Sequence, residues 1–209
     1  MDGVFFMKKM VKGSLLCLAL AALLWGISVF RDRQTLNEDL IRLHVVANSD
    51  SQEDQALKLL VRDAVTQDLQ QAMEHVEDVH QAKQYLSSHL DQIRTRAENT
   101  LAQSGCDMSV TVSLEAEPFD TRHYDTFSLP AGTYESLRIT IGAGEGKNWW
   151  CVVFPTLCYS AAGEDFRDQA AGAGFPDALA GALEGQKGYT LRFYLLDLLG
   201  RAENFLRFG

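Results

Sequence analysis

An uncharged apolar run occupies positions 13–30, after three lysines between positions 8 and 12. A basic segment followed by an apolar run is typical of leaders that direct a chain to the export machinery. The run approaches the roughly 20 residues needed to cross a bilayer, and Trp25 and Arg31 suit its outer boundary. Residues 1–30 are therefore predicted to be a signal peptide or a membrane anchor, and the sequence favours neither.

Two helical patterns follow a strand-like segment. Residues 41–47 alternate between the two sides of an extended chain and are rich in β-branched side chains, which predicts a strand. Apolar residues then recur at helical spacing over about 52–76 and again over 79–101. Ser51 and Asp78 stand where N-caps are expected, so each pattern predicts a helix with a defined start.

The pattern changes to period 2 over residues 108–114, which predicts a half-buried strand. Alternation returns at 137–141, and the glycine-rich segment 142–148 leads into an apolar run at 149–154, so these two segments are predicted to form a hairpin. One strand, two helices and then further strands predict an α+β fold. We expect a mostly antiparallel sheet with two long helices packed on one face, preceded by the N-terminal hydrophobic leader or anchor.

The last quarter of the chain is less regular. Residues 159–188 are rich in Ala and Gly with little periodicity, which predicts a flexible segment. Apolar residues return at helical spacing in 189–209, with Leu191 and Tyr194 on one side and Arg192 on the other, which predicts an amphipathic helix. A strand at the start of this segment is the alternative. The predicted organisation is a leader at 1–30, a linker at 31–40, a globular domain at 41–158, a flexible segment at 159–188 and a helix at 189–209.

Composition excludes some classes of partner. The chain carries 28 acidic and 19 basic residues, a net charge of −9, whereas nucleic-acid binding relies on clustered Lys and Arg, so we expect no nucleic-acid partner. Anionic headgroups should repel such a surface, so membrane contact outside the leader would need specific contacts. His75, His80 and His89 lack i,i+4 spacing and Cys-x-x-Cys is absent, so neither a metal site nor a cofactor is predicted.

Three cysteines follow the leader, at positions 106, 151 and 158. Cys151 and Cys158 flank Pro155, and a turn there would bring them within disulfide reach; two buried thiols are the alternative. A catalytic Cys-His pair would need one of these two cysteines beside His44 or His123, which would make the chain an exported hydrolase acting on wall or peptide. Cys151 lies within an apolar run, where a thiol usually serves as a small buried side chain.

Polar residues cluster where the first predicted strand meets the first helix of the domain. Arg42 lies on the strand, and Asn48, Ser49 and Asp50 follow it. Unsatisfied amides at a helix N-terminus suit an anion or a protein partner. The alternative is a local helix cap on a solvated face.

The tryptophans at positions 149 and 150 are the second candidate for a contact surface. Because they are adjacent on a predicted strand, Trp149 and Trp150 must point to opposite faces. If one of them belongs to the core, the other is exposed and suits a protein interface. Packing under the C-terminal helix is an equally good account of the second indole.

Two stretches of the chain resemble the stage II sporulation protein R family. The first is the strand-to-helix stretch IRLHVVANSDSQEDQALKLLVRDAV, and the second is LPAGTYESLRITIGAGEGKNWWCVVFPTLC. They occur in order with two predicted helices between them, and the resemblance covers roughly residues 40–158. The family often carries two prolines before the second cysteine, where this chain has Pro155 followed by Thr156.

The resemblance implies an exported signalling protein of endospore-forming bacteria, without enzymatic activity of its own. Such a protein is made in the forespore and exported into the intermembrane space, where it is secreted or held by its N-terminal segment. There it activates a membrane-embedded aspartic protease of the mother cell, which processes a sigma-factor precursor. The partner-binding residues expected on this interpretation are Arg42, Asn48, Ser49, Asp50, Trp149 and Trp150.

Overall fold

The computed structural model describes residues 2–155, 166–172 and 174–209. Within these ranges the helices are α1 (Asp2–Glu38), α2 (Gln52–Met73), α3 (Val79–Gln103), α4 (Phe166–Gly172), α5 (Asp177–Leu183) and α6 (Thr190–Phe208). The strands are β1 (Ile41–Val46), β2 (Val110–Phe119), β3 (Arg122–His123), β4 (Ser128–Leu129), β5 (Gly132–Ile141) and β6 (Asn148–Phe154). Residues 10–38 of α1 are long and apolar enough to cross a membrane, a property that anchors and signal sequences share.

The main sheet has four strands in the order β2-β5-β1-β6. Strand β1 pairs in parallel with β5 and antiparallel with β6, and β2 pairs antiparallel with β5. Leu43 in β1 lies opposite Leu137 of β5 and Cys151 of β6. The predicted α+β class with a mostly antiparallel sheet is confirmed.

The predicted hairpin between residues 137–141 and 149–154 is wrong, because β1 lies between β5 and β6. All six residues of β1 are buried, and a strand that is covered on both faces is most stable in the centre of a sheet. The glycine-rich loop crosses the end of β1 instead of making a tight turn. It is held there by hydrogen bonds from the Gly146 N–H to the Ala47 carbonyl and from the Glu145 N–H to the Asn48 carbonyl, 2.9 and 3.1 Å long.

Helices α2 and α3 cover one face of the sheet, as predicted. Ser51 caps α2 by accepting from the Asp54 N–H at 3.1 Å, and Asp78 caps α3 by accepting from the Gln81 N–H at 2.9 Å. The apolar stripes of both helices then meet the odd-numbered residues of β1 and β5 in one core. Its fully buried members include Leu43, Val45, Val61, Ala82, Leu86, Ala97, Leu101, Leu137 and Ile139.

A second helical layer covers part of the other face of the sheet, where the sequence predicted a linker at 31–40 and a flexible segment at 159–188. Helix α1 continues to Glu38, and both Leu36 and Leu40 are fully buried. In the described part of 159–188, helices α4 and α5 bury aromatic and aliphatic side chains in the same second core. The structure therefore differs from both predictions, because the few apolar side chains of these segments are ordered by contacts with distant parts of the chain in the second core.

Helix α6 was predicted as amphipathic, and it buries Leu196 in the second core but leaves most of its other large apolar side chains exposed. Arg192 is 7% exposed and donates to Ser28 and Asp32 of α1, whereas Leu191 and Tyr194 are each 62% exposed. Arg192 and Glu203 are turned inwards because they find charged partners on α1, and Asp197 accepts from the Ala131 N–H in the β4–β5 connection. The apolar side of α6 is left towards solvent.

Candidate partner-binding site

The residues after β1 join two loops. The Asn48 side chain accepts from the Ala143 N–H at 2.9 Å and donates to Asp54 at 2.8 Å. Ser49 also donates to Asp54, and Asp50 accepts from the Lys147 N–H at 2.7 Å. The hydrogen bonds from Ser49 and then Asn48 lower the pKa of the Asp54 carboxyl. These polar side chains therefore hold the β1–α2 turn against the β5–β6 loop.

A buried lysine completes this connection, and sequence reasoning gave it no specific role. Lys58 is 5% exposed, and its Nζ donates to the Lys147 carbonyl at 2.8 Å and to Gln55 at 2.7 Å. Burial lowers the pKa of the Lys58 ammonium. Gly142 has a φ of 57°, and a Cβ there would overlap the Asn48 amide, so the loop needs glycine at this position.

Trp149 lies on the surface next to these loops. Trp149 is 38% exposed, and the Arg62 guanidinium carbon lies 4.2 Å from the centroid of its ring. Asp50 and Lys147 are also exposed, and their hydrogen bond ties the β1–α2 turn to the start of β6. We call this surface, formed by Asp50, Arg62, Lys147 and Trp149, the Trp149 edge. It brings together residues from both stretches that resemble the sporulation family.

Trp150 points to the opposite face of the sheet, as the alternation of a strand requires. Its ring stacks on His44 with centroids 3.8 Å apart and meets the Phe119 ring edge-on at 4.9 Å. The Arg122 guanidinium carbon lies 4.8 Å from the Trp150 ring centroid. Trp150 is therefore only partly exposed, and its contacts are mainly within the protein.

An ionic network lies beside Trp150 on the same face of the sheet. Glu117 is 8% exposed, lies 3.2 Å from His44 Nδ1, and accepts from Arg138 at 2.7 Å. Burial by itself raises the pKa of Glu117, but the hydrogen bonds and positive charges around it outweigh burial and lower the pKa to about 2. The carboxylate is therefore ionised at neutral pH, and His44 Nδ1 must carry the proton between them.

Arg42, predicted as a partner contact, lies in the interior with no exposed surface. It donates to the Tyr124 hydroxyl at 2.9 Å and stands 3.9 Å from the Phe119 ring centroid. Its Nε and Nη1 find no hydrogen-bond partner, and no carboxylate in the described ranges pairs with it. Burial lowers the pKa of this guanidinium. A direct contact with a partner is incompatible with this position, because the aromatic side chains enclose the group.

Replacing Arg42 with methionine is expected to leave stability unchanged or to raise it by about 1–2 kcal/mol, because an apolar side chain of similar length avoids the cost of burying an unpaired charge. Chemical denaturation followed by tryptophan fluorescence measures the change. Arg42→Lys is the matched control and should destabilise, since it keeps the charge and loses the planar contact with Phe119. A loss of stability in the methionine variant would show that the guanidinium itself stabilises the fold.

The cysteines do not support a pair between Cys151 and His44. Cys151 is disulfide-bonded, whereas Cys17 and Cys106 are free. Cys151 belongs to the core under α2 and α3, and His44 faces the other side of the sheet beside Trp150. The predicted partner Cys158 lies outside the described residues, so the pairing stays a prediction. Across residues 2–155, 166–172 and 174–209, no group of three metal-ligating side chains comes together.

Comparisons with known proteins agree on one family. The model of the stage II sporulation protein R family matches residues 37–164. The stage II sporulation protein R of Bacillus subtilis (strain 168) is 38% identical over 122 residues, which are 58% of this chain and 54% of that protein. The match thus spans about half the length of this curated relative. No solved structure matches the chain. Because the family model covers more than half of the sequence, the chain belongs to the stage II sporulation protein R family.

Proposed function

We propose that this chain is an exported sporulation signal that binds the outward-facing part of a membrane-embedded aspartic protease in the mother cell. Binding activates the protease, which then processes a sigma-factor precursor. Family membership and an N-terminal helix suited to a signal sequence or an anchor support this proposal. The acidic surface, with a net charge of −9, suits a soluble domain between two membranes.

The observation that carries the proposal is the Trp149 edge. Protein interfaces gain most of their binding energy from a few Trp, Tyr and Arg side chains. Trp149 and Arg62 form such a pair, and both are partly exposed, with side chains that a partner can bury further. The hydrogen bonds of Asn48 and Asp50 hold the surrounding loops, so little conformational freedom is lost on binding.

For activation, this chain must also bind one state of the protease more tightly than the other. A ligand shifts an equilibrium only by the difference between its affinities for the two states. The Trp149 edge must therefore fit the active state of the protease better than the inactive state. The buried Arg42 and the ionic network of His44, Glu117 and Arg138 would act indirectly, by positioning β1 and β6 beneath this edge.

Trp149→Ala is expected to lower activation about tenfold or more, since removal of an aromatic interface anchor costs roughly 2 kcal/mol. The measurement is precursor cleavage in a non-sporulating host that expresses this chain, the protease and the precursor. Phe205→Ala removes a side chain that is 74% exposed elsewhere and is the matched control, with cleavage unchanged. Equal cleavage with both variants, at equal levels of folded protein, would exclude the Trp149 edge as the contact surface.

Export is tested in the same host by deleting residues 1–26, which removes most of the apolar run and keeps Ser28, the partner of Arg192. Cleavage should require the leader, because the proposed contact lies on the outward side of the membrane. Cleavage by a chain retained in the cytoplasm would contradict the proposal. Absence of cleavage despite export of folded protein would also count against a direct role in protease activation.

A further inference from the structure

Helix α6 presents an apolar face to solvent along its whole length. Its polar side chains Arg192, Asp197 and Glu203 contact α1 or the β4–β5 connection instead. A contiguous apolar surface of this kind usually marks a contact with a partner or a membrane. The apolar side chains of this face that are at least 42% exposed are Leu191, Tyr194, Leu198, Leu199, Phe205, Leu206 and Phe208.

The contacts between α1 and α6 fix which part of α1 lies beside which part of α6. Near its start, α6 places Arg192 on Ser28 at 2.6 Å and on Asp32. Further along, Glu203 contacts Arg33 at 2.8 Å and Asn37 at 3.1 Å. Both sets of contacts advance in the same sense, so the helices run in the same direction. The start of α6 therefore lies beside the end of the apolar run of α1.

This level coincides with the expected membrane boundary. The uncharged run 13–30 rises about 27 Å as a helix, close to the thickness of a hydrocarbon core of roughly 30 Å. Trp25 and Phe30 are 39% and 64% exposed near the outer end of the run. Leu191 and Tyr194 therefore stand where headgroups begin. Phe205, fourteen residues after Leu191, lies about 21 Å further along the helix.

We propose that the first half of the exposed α6 face, Leu191, Tyr194 and Leu198, lies in the outer headgroup layer of the bilayer that α1 enters. This rests on the proposed export, with α1 retained as an anchor. Tyrosine favours this layer because its ring is apolar and its hydroxyl stays hydrated. Lys187, exposed in the loop just before α6, faces lipid phosphates in this arrangement.

A specific apolar contact would also offset the repulsion between this acidic chain and anionic lipid. A domain with this many acidic residues is repelled by anionic lipid, so a loose tether would hold it away from the membrane. A groove of about 430 Å³ between α1 and α6 lies next to this surface, and Phe30 and Leu199 line it together with the polar Arg33, Asn37 and Glu203. Lipid contact at this junction would hold the domain in one orientation relative to the membrane.

The test uses the full chain in nanodiscs of phosphatidylethanolamine and phosphatidylglycerol. The free cysteines are removed as Cys17→Ser and Cys106→Ser, and Cys151 is left in its disulfide. A single new cysteine, Tyr194→Cys or the control Phe205→Cys, then carries an environment-sensitive fluorophore. Lipids with a nitroxide just below the headgroup should quench the label at position 194 and leave the label at position 205 unquenched.

Three outcomes would overturn the proposal. The first is absence of quenching at position 194 and also at a second test position, Leu198→Cys. The second is a blue shift at position 194 that grows with protein concentration without lipid quenching, which would assign the face to a second copy of the chain. The third is release of a shortened chain from host cells that export the protein, detected by its mass, which would show that α1 is removed. Precursor cleavage by the same variants tests the signalling function separately, because the cleavage assay and the quenching assay can fail independently of each other.

Discussion

Glu117→Gln is expected to destabilise the protein by about 2 kcal/mol at neutral pH. Breaking a buried ion pair usually costs roughly 3–5 kcal/mol, and the smaller value is expected because the Arg138 side chain is 38% exposed and solvent screens it. The amide also turns a donor towards His44 and Arg138, which both donate to the carboxylate in the wild type. Denaturation followed by tryptophan fluorescence measures the loss.

The same variant has a distinct pH dependence. Folding lowers the pKa of Glu117 from 4.5 to about 2, so the folded state favours the ionised form. Its stabilising contribution is complete above pH 4.5 and is lost as the pH falls towards 2. The difference between wild type and variant should shrink over this interval. Glu115→Gln, exposed on the same strand, is the control and should change little. A difference that stays constant down to pH 2 would mean that the charge of Glu117 does not stabilise the fold.

Gly200→Ala is expected to destabilise the protein by about 2–3 kcal/mol and to displace α6. Alanine in an exposed helix normally stabilises by roughly 1 kcal/mol over glycine, so the expected sign is reversed. A Cβ at position 200 would overlap the Ala131 carbonyl and stand 3.1 Å from the Gly132 Cα. The backbone cannot move aside as a flexible side chain would, and overpacking typically costs about 1–3 kcal/mol.

Two measurements check this second prediction. Thermal or chemical denaturation gives the stability, and hydrogen exchange reports whether the amides of α6 lose protection. Gly188→Ala, in the loop before α6, is the matched control, because a Cβ there meets nothing within 4 Å. Equal effects of the two substitutions would show that α6 does not pack this closely against the β4–β5 connection.

The sequence predicted those parts of the fold that depend on local chemistry. The N-caps Ser51 and Asp78 and the helices that they begin follow from short-range hydrogen bonds and from apolar periodicity. The opposite directions of Trp149 and Trp150 follow from the alternation of a strand. Strand order was not accessible in this way, because periodicity shows which side chains are buried and not which strand lies beside which. The central position of β1 between β5 and β6 therefore came only from the structure.

The sequence likewise predicted only part of the candidate site. Sequence reasoning found Asn48, Asp50 and Trp149, which the structure brings together at one edge. It placed Arg42 at a contact surface because Arg42 lies on the strand that leads into this polar cluster, whereas an aromatic enclosure buries the guanidinium. The pairing of His44 with Glu117, 73 residues apart, had no sequence signal because it depends on the diagonal register of β1, β5 and β2.

By itself, then, the sequence determined the apolar N-terminal segment, the capped helices, the strands of the main sheet and the family, because each is encoded in contiguous residues. The tertiary structure decided the strand order, the interior position of Arg42 and the outward direction of the apolar face of α6. In each of these cases the free energy depends on residues distant in the chain. For α6, the contacts of Arg192 with Ser28 and Asp32 turn the polar side inwards and leave Leu191 and Tyr194 at the level where α1 leaves its apolar run.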